Sequence, residues 1–167
     1  IIEETNFNGA YVNFLTNHLN FNYFPYNVAI DAGYGAGAYI AKDLASNAFK
    51  TFKLFGCDID GENINEYQNI DYSCYDFYIK LSGDCDRLEI YMPNGKKIEG
   101  DFLIAFFALG LQKKNNLFTL VSNLYTNNAY FKYFDNKKIK YYICGVGEKR
   151  IVEKMLKTNS EIGGEKY

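Results

Sequence analysis

The sequence predicts an α/β protein made of two successive units, each with a mainly parallel sheet and covering helices. The first observation behind this prediction is that short apolar segments alternate with longer segments of helical pattern. The second is that this alternation restarts after the turn-forming segment 93–95 (PNG), so that the units join near 93–100. The third is that 48% of the 167 residues are hydrophobic. That fraction is enough for packed cores in one large domain or two small ones.

The first unit is expected to open with an amphipathic helix over 8–20, where apolar side chains recur near helical spacing. Pro25 should then break the chain. Segment 58–75 is polar, acidic and predicted to be irregular. The regular elements predicted after Pro25 are a strand over 28–31, a helix over 36–49, and strands over 51–56, 76–81 and 88–92.

The second unit repeats the alternation of predicted strands and helices. Asp101 is a good N-cap for an apolar helix over 102–112, and Lys113 and Lys114 are typical of its end. The elements predicted to follow are a strand over 117–121, a helix over 123–134, a strand over 139–144, a helix over 148–158, and the start of a strand within 161–167.

Composition excludes some classes of function. The net charge of −2 argues against a protein that coats nucleic acid or an anionic membrane. No apolar run reaches the roughly 18–20 residues of a membrane span, and no charged-then-apolar leader opens the chain. The four cysteines stand singly, which favours reduced thiols and a cytoplasmic protein over a disulfide framework or a zinc site. His18 is the sole histidine, and nothing near it indicates a nucleophile–histidine site.

A glycine-rich segment follows the first predicted strand. Gly33, Gly35 and Ala38 satisfy the pattern GxGxxG/A, and Asp58 follows the next strand at about the distance of a ribose-binding acid. A dinucleotide site is therefore one hypothesis. Against it, the Asp31 carboxylate would face a bound pyrophosphate. The alternative is that small residues let a strand-to-helix turn pack tightly.

Segment 82–87 (SGDCDR) lies at the end of a predicted strand. Asp84 and Asp86 can turn toward one ion there, and a hard cation such as Mg²⁺ prefers oxygen ligands. Arg87 beside them could neutralise a phosphate. The alternative is a solvated acidic turn with an Asp–Arg pair.

Two further segments combine glycine with charge. Segment 145–150 (GVGEKR) leads into a helix whose first turn carries Lys149 and Arg150, a placement that suits an anionic ligand. The alternative is a loop with solvated side chains. Near the end of the sequence, Gly164 and Glu165 belong to a flexible turn that presents one carboxylate.

Taken in order, five segments resemble motifs of the α-D-phosphohexomutases, within them the branch that acts on glucosamine phosphates. The similarity extends from about residue 8 to residue 166. Single motifs of this length are weak, but five in the right order are specific. The segments are 58–66 (DIDGENINE), 82–87 (SGDCDR), 119–124 (TLVSNL), 145–155 (GVGEKRIVEKM) and 162–165 (IGGE).

The resemblance implies two three-layer α/β/α units with mixed, mainly parallel sheets. Residues 1–96 would match the second of the family's four domains, and 97–167 a C-terminally truncated third. In that family a phosphoserine gives its phosphoryl group to one sugar hydroxyl and receives the sugar's other phosphate. Mg²⁺ held by aspartates stabilises the transferring group. No serine loop of the TASHN type occurs in the sequence, so the chain alone is expected to be inactive.

Residue by residue, the resemblance implies a metal loop made by Asp84, Asp86 and the degenerate ligand position Ser82, with Arg87 as the catalytic cation. Gly164, Glu165, Lys149 and Arg150 would bind a phosphosugar. Since Ser82 replaces a carboxylate and Cys85 replaces a glycine, the Mg²⁺ site should be weakened or lost. The crossover between residues 65 and 76 also looks about a dozen residues shorter than the family's, enough to remove most of a helix.

Two alternatives stay open beside the mutase hypothesis. One is a non-catalytic binding or interaction module that keeps the fold, with self-association through surfaces that the other domains would cover. The other is the dinucleotide-binding domain. Nucleic acid and membranes are not expected as partners.

Overall fold

The computed structural model describes residues 6–19, 23–114 and 118–166. The chain divides into two compact units, residues 1–97 and 98–167. The start of the strand predicted at 117, the end of the helix predicted at 20, and the side chain of His18 lie outside the described part.

The first sheet has five strands in the order β2-β1-β3-β4-β5. Strand β1 lies parallel to both β2 and β3, and β3 pairs antiparallel with β4, so the sheet is mixed. In the register, Ile30 lies opposite Leu54 of β2 and Ile79 of β3. The strands are β1 (Phe24–Asp31), β2 (Phe49–Phe55), β3 (Phe77–Leu81), β4 (Leu88–Tyr91) and β5 (Lys97–Ile98).

One face of this sheet forms an apolar core with a helix. Val28 and Ile30 of β1 pack with Ala45 of helix α2 (Ala41–Ala48), bordered by apolar side chains of β2 and β3. A second helix, α1 (Asn8–Leu19), contacts α2. Ala45 is only 1% exposed, and its small side chain permits close packing of α2 on β1.

The opposite face is covered by the irregular segment between β2 and β3. A single 3₁₀ turn, Tyr72–Cys74, is the helical element of this crossover in the described chain. The Tyr72 ring contacts the rings of Tyr78 and Tyr91, each at a centroid distance of 5.4 Å. Aromatic packing therefore covers this face of the sheet, since the crossover from β2 to β3 contains no α-helix.

Two predicted boundaries in the first unit are wrong. Strand β1 begins at Phe24 and includes Pro25, which is accommodated by a register shift between Phe24 and Asn27. The helix predicted over 36–49 is a 3₁₀ turn (Ala36–Tyr39) followed by α2, and Phe49 already belongs to β2.

The second sheet has three parallel strands in the order β7-β6-β8. The strands are β6 (Thr119–Asn123), β7 (Lys140–Cys144) and β8 (Ile162–Gly163). The helices are α3 (Gly100–Lys114), α4 (Asn128–Asn136) and α5 (Glu148–Thr158). Helices α3 and α4 enclose the larger core, which contains Leu120, Phe134 and Ile104.

The helices of this unit lie on both faces of the sheet. A Cβ on Gly163 would meet Met155 and Ile151 of α5, whereas a Cβ on Gly164 would meet Ile104 of α3. Successive residues of a strand face opposite sides, so α5 covers one side and α3 the other. The unit is a three-layer α/β/α arrangement.

The helix predicted over 123–134 begins later because Asn123 completes β6, and the Asn127 side chain caps α4 by accepting from Ala129 N. The predicted N-cap Asp101 lies inside α3. Its buried carboxylate accepts from Asn127 N instead, at 3.2 Å. The predicted fold class, α/β with mixed and mainly parallel sheets, is confirmed. No helix in the described ranges is long and apolar enough to cross a membrane.

Candidate functional site

In each sheet, one group of candidate site residues follows a strand that flanks the point where strand order reverses, whereas Lys149 and Arg150 follow the neighbouring strand β7. In the first sheet β1 lies between β2 and β3, so the reversal falls between β1 and β3. In the second sheet it falls between β6 and β8. Ligands of open α/β sheets bind outside the carboxyl ends of strands at such points. Segment 82–87 follows β3, and Glu165 follows β8.

A buried carboxylate anchors the carboxyl end of β1. Asp31 is fully buried; its Oδ1 accepts from Gly33 N at 3.0 Å and its Oδ2 from the Tyr78 hydroxyl at 2.9 Å. Burial, then the hydrogen bond to Asp31, raises the pKa of Tyr78 far above its ordinary value. Asp31 therefore stabilises the turn into the glycine-rich segment.

The glycine-rich segment packs against segment 82–87. Ala36 N donates to Gly83 O at 2.7 Å, and a Cβ on Gly35 would lie 2.1 Å from that same oxygen. A Cβ on Gly37 would lie 2.9 Å from the Cys85 sulfur. These glycines therefore allow two backbone segments to approach each other.

The same contacts bear on the dinucleotide hypothesis. In a dinucleotide fold the backbone N–H groups of this turn face a pyrophosphate. Here Tyr34 N donates to Gly56 O, Gly35 N to Ala32 O, and Ala36 N to Gly83 O. The protein itself uses these donors, so the tight packing of the turn explains the glycines without a bound nucleotide.

Segment 82–87 gathers two carboxylates around one hydroxyl. Ser82 Oγ lies 2.7 Å from Asp84 Oδ1 and 3.0 Å from Asp86 Oδ1, and it accepts from Arg87 N at 3.1 Å. The hydrogen bond from Ser82, then the one involving Asp86, holds the pKa of the Asp84 carboxyl below its usual range. Both carboxylates are thus directed toward the position that Ser82 occupies.

Arg87 and Cys85 complete this loop. Arg87 Nε forms an ion pair with Asp86 Oδ1 at 3.2 Å. Cys85 has a φ of 61°, in the left-handed region that favours glycine, and its N donates to Ser82 O. Burial, then the charges of Asp84 and Asp86, raises the pKa of its thiol.

The donor set fits a weak site for a divalent cation. Two carboxylates and a hydroxyl converge, and Mg²⁺ commonly keeps several waters beside one or two carboxylates. Across the described side chains there is no group of three or more His, Cys, Asp or Glu placed to hold a metal ion. Any cation at this loop would therefore rely on Ser82 and water to complete its ligands.

In the second unit, Glu165 connects two predicted site segments. Its Oε2 accepts from Asn123 Nδ2, at the carboxyl end of β6, and from Gly147 N at 3.1 Å, in the loop before α5. Asn123 is fully buried, and its Oδ1 accepts from Tyr125 N. The Glu165 carboxylate is thereby fixed beside segment 145–150.

The other predicted substrate-binding residues are Gly164, which precedes Glu165 in the sequence, and two basic residues of segment 145–150. Gly164 N donates to Val121 O at 3.2 Å, which fixes the approach to Glu165. Lys149 and Arg150 are exposed in the first turn of α5. The Arg150 side chain lies over Gly145, where an added Cβ would be 2.4 Å from Nη1. Gly145 is therefore needed for Arg150 to adopt this position.

Three residues that shape these loops were not predicted as site residues: Asn65, Tyr78 and Asn123. Asn65 and Asn123 lie in segments 58–66 and 119–124, which resemble family motifs. The sequence does not indicate which groups their side chains contact. Tyr78 gave no signal, because an apolar strand residue looks like core. Its hydroxyl becomes informative only when Asp31 is found beside it.

Known proteins are similar to this chain over part or most of its length. Residues 99–166 match the family described as phosphoglucomutase/phosphomannomutase, alpha/beta/alpha domain III. Phosphoglucosamine mutase of Streptococcus mutans is 31% identical over 151 residues, covering 83% of this chain and 33% of the relative. The Staphylococcus aureus (strain Newman) enzyme is 27% identical over 173 positions, covering 95% and 38%. The chain thus spans about a third of the length of these relatives.

Solved structures share the fold. A phosphoglucomutase/phosphomannomutase family protein from Burkholderia thailandensis superposes with a TM-score of 0.84 at 18% identity, covering 98% of this chain and 38% of that one. The apo form of an N-acetylglucosamine-phosphate mutase, a member of the α-D-phosphohexomutase superfamily, gives 0.70 at 20% identity, covering 96% and 41%. With the sequence matches, residues 99–166 form an alpha/beta/alpha domain III of the phosphoglucomutase/phosphomannomutase family, and the chain as a whole is similar to phosphoglucosamine mutases.

Proposed function

We propose that these residues form the metal-binding and sugar-binding part of a phosphohexomutase of the phosphoglucosamine mutase type, a cytoplasmic enzyme that interconverts glucosamine 6-phosphate and glucosamine 1-phosphate. The observation that carries the proposal is the convergence of Asp84 and Asp86 at the carboxyl end of β3, with Arg87 beside them. The similarity to phosphoglucosamine mutases supports the choice of sugar.

Each site residue has a role in this proposal. Asp84 and Asp86, with Ser82, would hold a Mg²⁺ ion, which when bound offsets the negative charge of a transferring phosphoryl group. Arg87, oriented by its ion pair with Asp86, adds positive charge at the same loop. Glu165, fixed by two donors, would accept hydrogen bonds from sugar hydroxyls.

Lys149 and Arg150 would bind the phosphate group that is not being transferred. Both side chains are exposed at the N-terminal turn of α5, where the helix dipole also favours an anion. Gly164 sets the position of Glu165 through its bond to Val121. This arrangement orients a phosphosugar through one charged end and its hydroxyls.

We propose further that the 167 residues alone catalyse no mutase turnover, because the phosphoryl donor must come from a serine loop that this sequence does not contain. The assay is conversion of glucosamine 6-phosphate by the purified chain with Mg²⁺ and a sugar bisphosphate activator. Turnover that survives removal of contaminating mutase would refute this part of the proposal.

Metal binding tests the site itself. We expect calorimetric titration with MgCl₂ to show millimolar or tighter binding that is lost in Asp84→Ala. Asp43→Asn, which changes an exposed acid in α2, is the matched control and should bind as the wild type does. Absence of binding by the folded wild type would overturn the retained metal site.

A non-catalytic interaction module is the second candidate. The observation in its favour is that a serine hydroxyl, rather than a third carboxylate, lies between Asp84 and Asp86. Exposed aromatic side chains on α3, among them Phe102 and Phe106, would then serve self-association. Sedimentation at several protein concentrations separates the candidates: a stable dimer without Mg²⁺ binding supports the module, and a monomer that binds Mg²⁺ supports the mutase part.

A further inference from the structure

Asn65 lies where three loops of the first unit meet. Its backbone has a φ of 64°, and its N–H donates to Gly33 O, in the glycine-rich segment, at 2.8 Å. Its side-chain Oδ1 accepts from Gly83 N at 2.8 Å and from the Tyr67 hydroxyl at 3.2 Å. One residue thus connects the turn after β1, the crossover segment and the loop after β3.

Gly83 is the residue through which Asn65 acts on the carboxylates. The Gly83 N–H is bonded to Asn65, and its carbonyl accepts from Ala36 N. A Cβ on Gly83 would lie 2.4 Å from Ile64 Cγ1, so Ile64 also packs against this backbone. Since Gly83 stands between Ser82 and Asp84, these contacts fix the direction in which the chain enters the carboxylate pair.

Few residue types can satisfy both requirements at position 65. A left-handed backbone is accessible at low cost to Gly, Asn and Asp, and a carbonyl or carboxylate oxygen three bonds from Cα is available only in Asn and Asp. Asparagine meets both demands without adding a negative charge beside Asp84. The position therefore combines a backbone requirement with a side-chain requirement.

We infer that Asn65 is a positioning residue, which holds loop 82–87 in the conformation that turns Asp84 and Asp86 toward one point. The metal-binding role of that loop rests on the proposed function. The positioning itself is a property of this chain and is measurable without a cation.

Amide hydrogen exchange of the whole chain tests the positioning. Asn65→Gly keeps the left-handed backbone and removes the acceptor. We expect the Gly83 amide to exchange about tenfold faster, the equivalent of one hydrogen bond, while the Ala29 amide inside β1 keeps its rate. Asn65→Asp, which keeps the acceptor, should restore slow exchange. Unchanged Gly83 exchange in Asn65→Gly would overturn the inference.

Titration with MgCl₂ then separates this inference from the proposed function. If the wild type binds and Asn65→Gly binds several-fold more weakly at equal thermal stability, Asn65 positions the metal loop. If both bind equally, the positioning role for the metal is wrong and the metal site stands. If the wild type does not bind, the proposed metal site fails, and the exchange of Gly83 alone decides the role of Asn65.

Discussion

The hydroxyl of Tyr78 donates a 2.9 Å hydrogen bond to Oδ2 of Asp31, and both side chains are almost completely buried. The two residues belong to adjacent parallel strands, β1 and β3. Asp31 also accepts from Gly33 N, which begins the glycine-rich turn. The bond therefore links the sheet to the loops that carry the candidate site.

Removing this hydroxyl should destabilise the first unit. We expect Tyr78→Phe to lower the free energy of unfolding by about 1–3 kcal/mol, because the buried Asp31 Oδ2 loses its shorter bond and keeps only the 3.4 Å bond from Gln68 N. Urea denaturation followed by circular dichroism measures the change. Tyr39→Phe is the control, since Tyr39 is 66% exposed and should give no change. Equal stability of the two variants would contradict the prediction.

The same bond predicts a stability loss at alkaline pH. The pKa of Tyr78 is raised by burial and by its bond to Asp31, so the folded protein keeps the proton that the unfolded chain loses near pH 10. This contribution is complete below pH 10 and declines above it, by about 1.4 kcal/mol per pH unit. Urea denaturation between pH 8 and 11.5 should show a shallower decline for Tyr78→Phe. Parallel curves of stability against pH for the wild type and Tyr78→Phe would contradict this prediction.

We expect opposite effects from two glycine substitutions, because Gly35 lies where two loops approach closely and Gly110 lies in open space. Gly35→Ala would place a methyl group 2.1 Å from Gly83 O and should cost about 1–3 kcal/mol. Gly110→Ala meets nothing within 4 Å in the exposed interior of α3 and should stabilise by about 0.5–1 kcal/mol. Thermal unfolding of both variants is the measurement. A neutral Gly35→Ala would mean that the loops separate at low cost.

Restoring a carboxylate at position 82 should strengthen cation binding. Ser82→Asp would give the loop three acidic ligands, and we expect the affinity for Mg²⁺ to rise about tenfold or more. Without Mg²⁺ the variant should be less stable than the wild type, because a third negative charge joins Asp84 and Asp86. Calorimetry and thermal unfolding with and without MgCl₂ test both effects. Unchanged affinity would show that the loop does not coordinate the ion.

The alternation of apolar segments was sufficient to predict the α/β class and most of the elements, and helix α5 matches the predicted range 148–158. Pro25 was misleading, because a proline tolerated at a register shift looks like a break in the sequence. The late start of α4 was also missed. Asn123 has no strand propensity, and it joins β6 because parallel pairing with Cys144 extends that far.

The charged residues of the candidate site were proposed from the sequence, and the residues that support them were not. Asp84, Asp86 and Arg87 are adjacent in one charged motif, whereas Glu165 was proposed through the family resemblance. The roles of Asn65 and Asn123 depend on partners 18 and 42 residues away in sequence. No local pattern encodes such a pairing, so only the folded chain reveals it.

The Tyr78–Asp31 bond also has a kinetic consequence. It joins residues 47 positions apart, and forming it requires closing the whole crossover between β1 and β3. Long-range closure of this kind is entropically costly and slows folding. The glycine-rich turn follows β1 and loop 82–87 follows β3, so the contact between Ala36 and Gly83 forms only once this long-range pairing brings the two strands together.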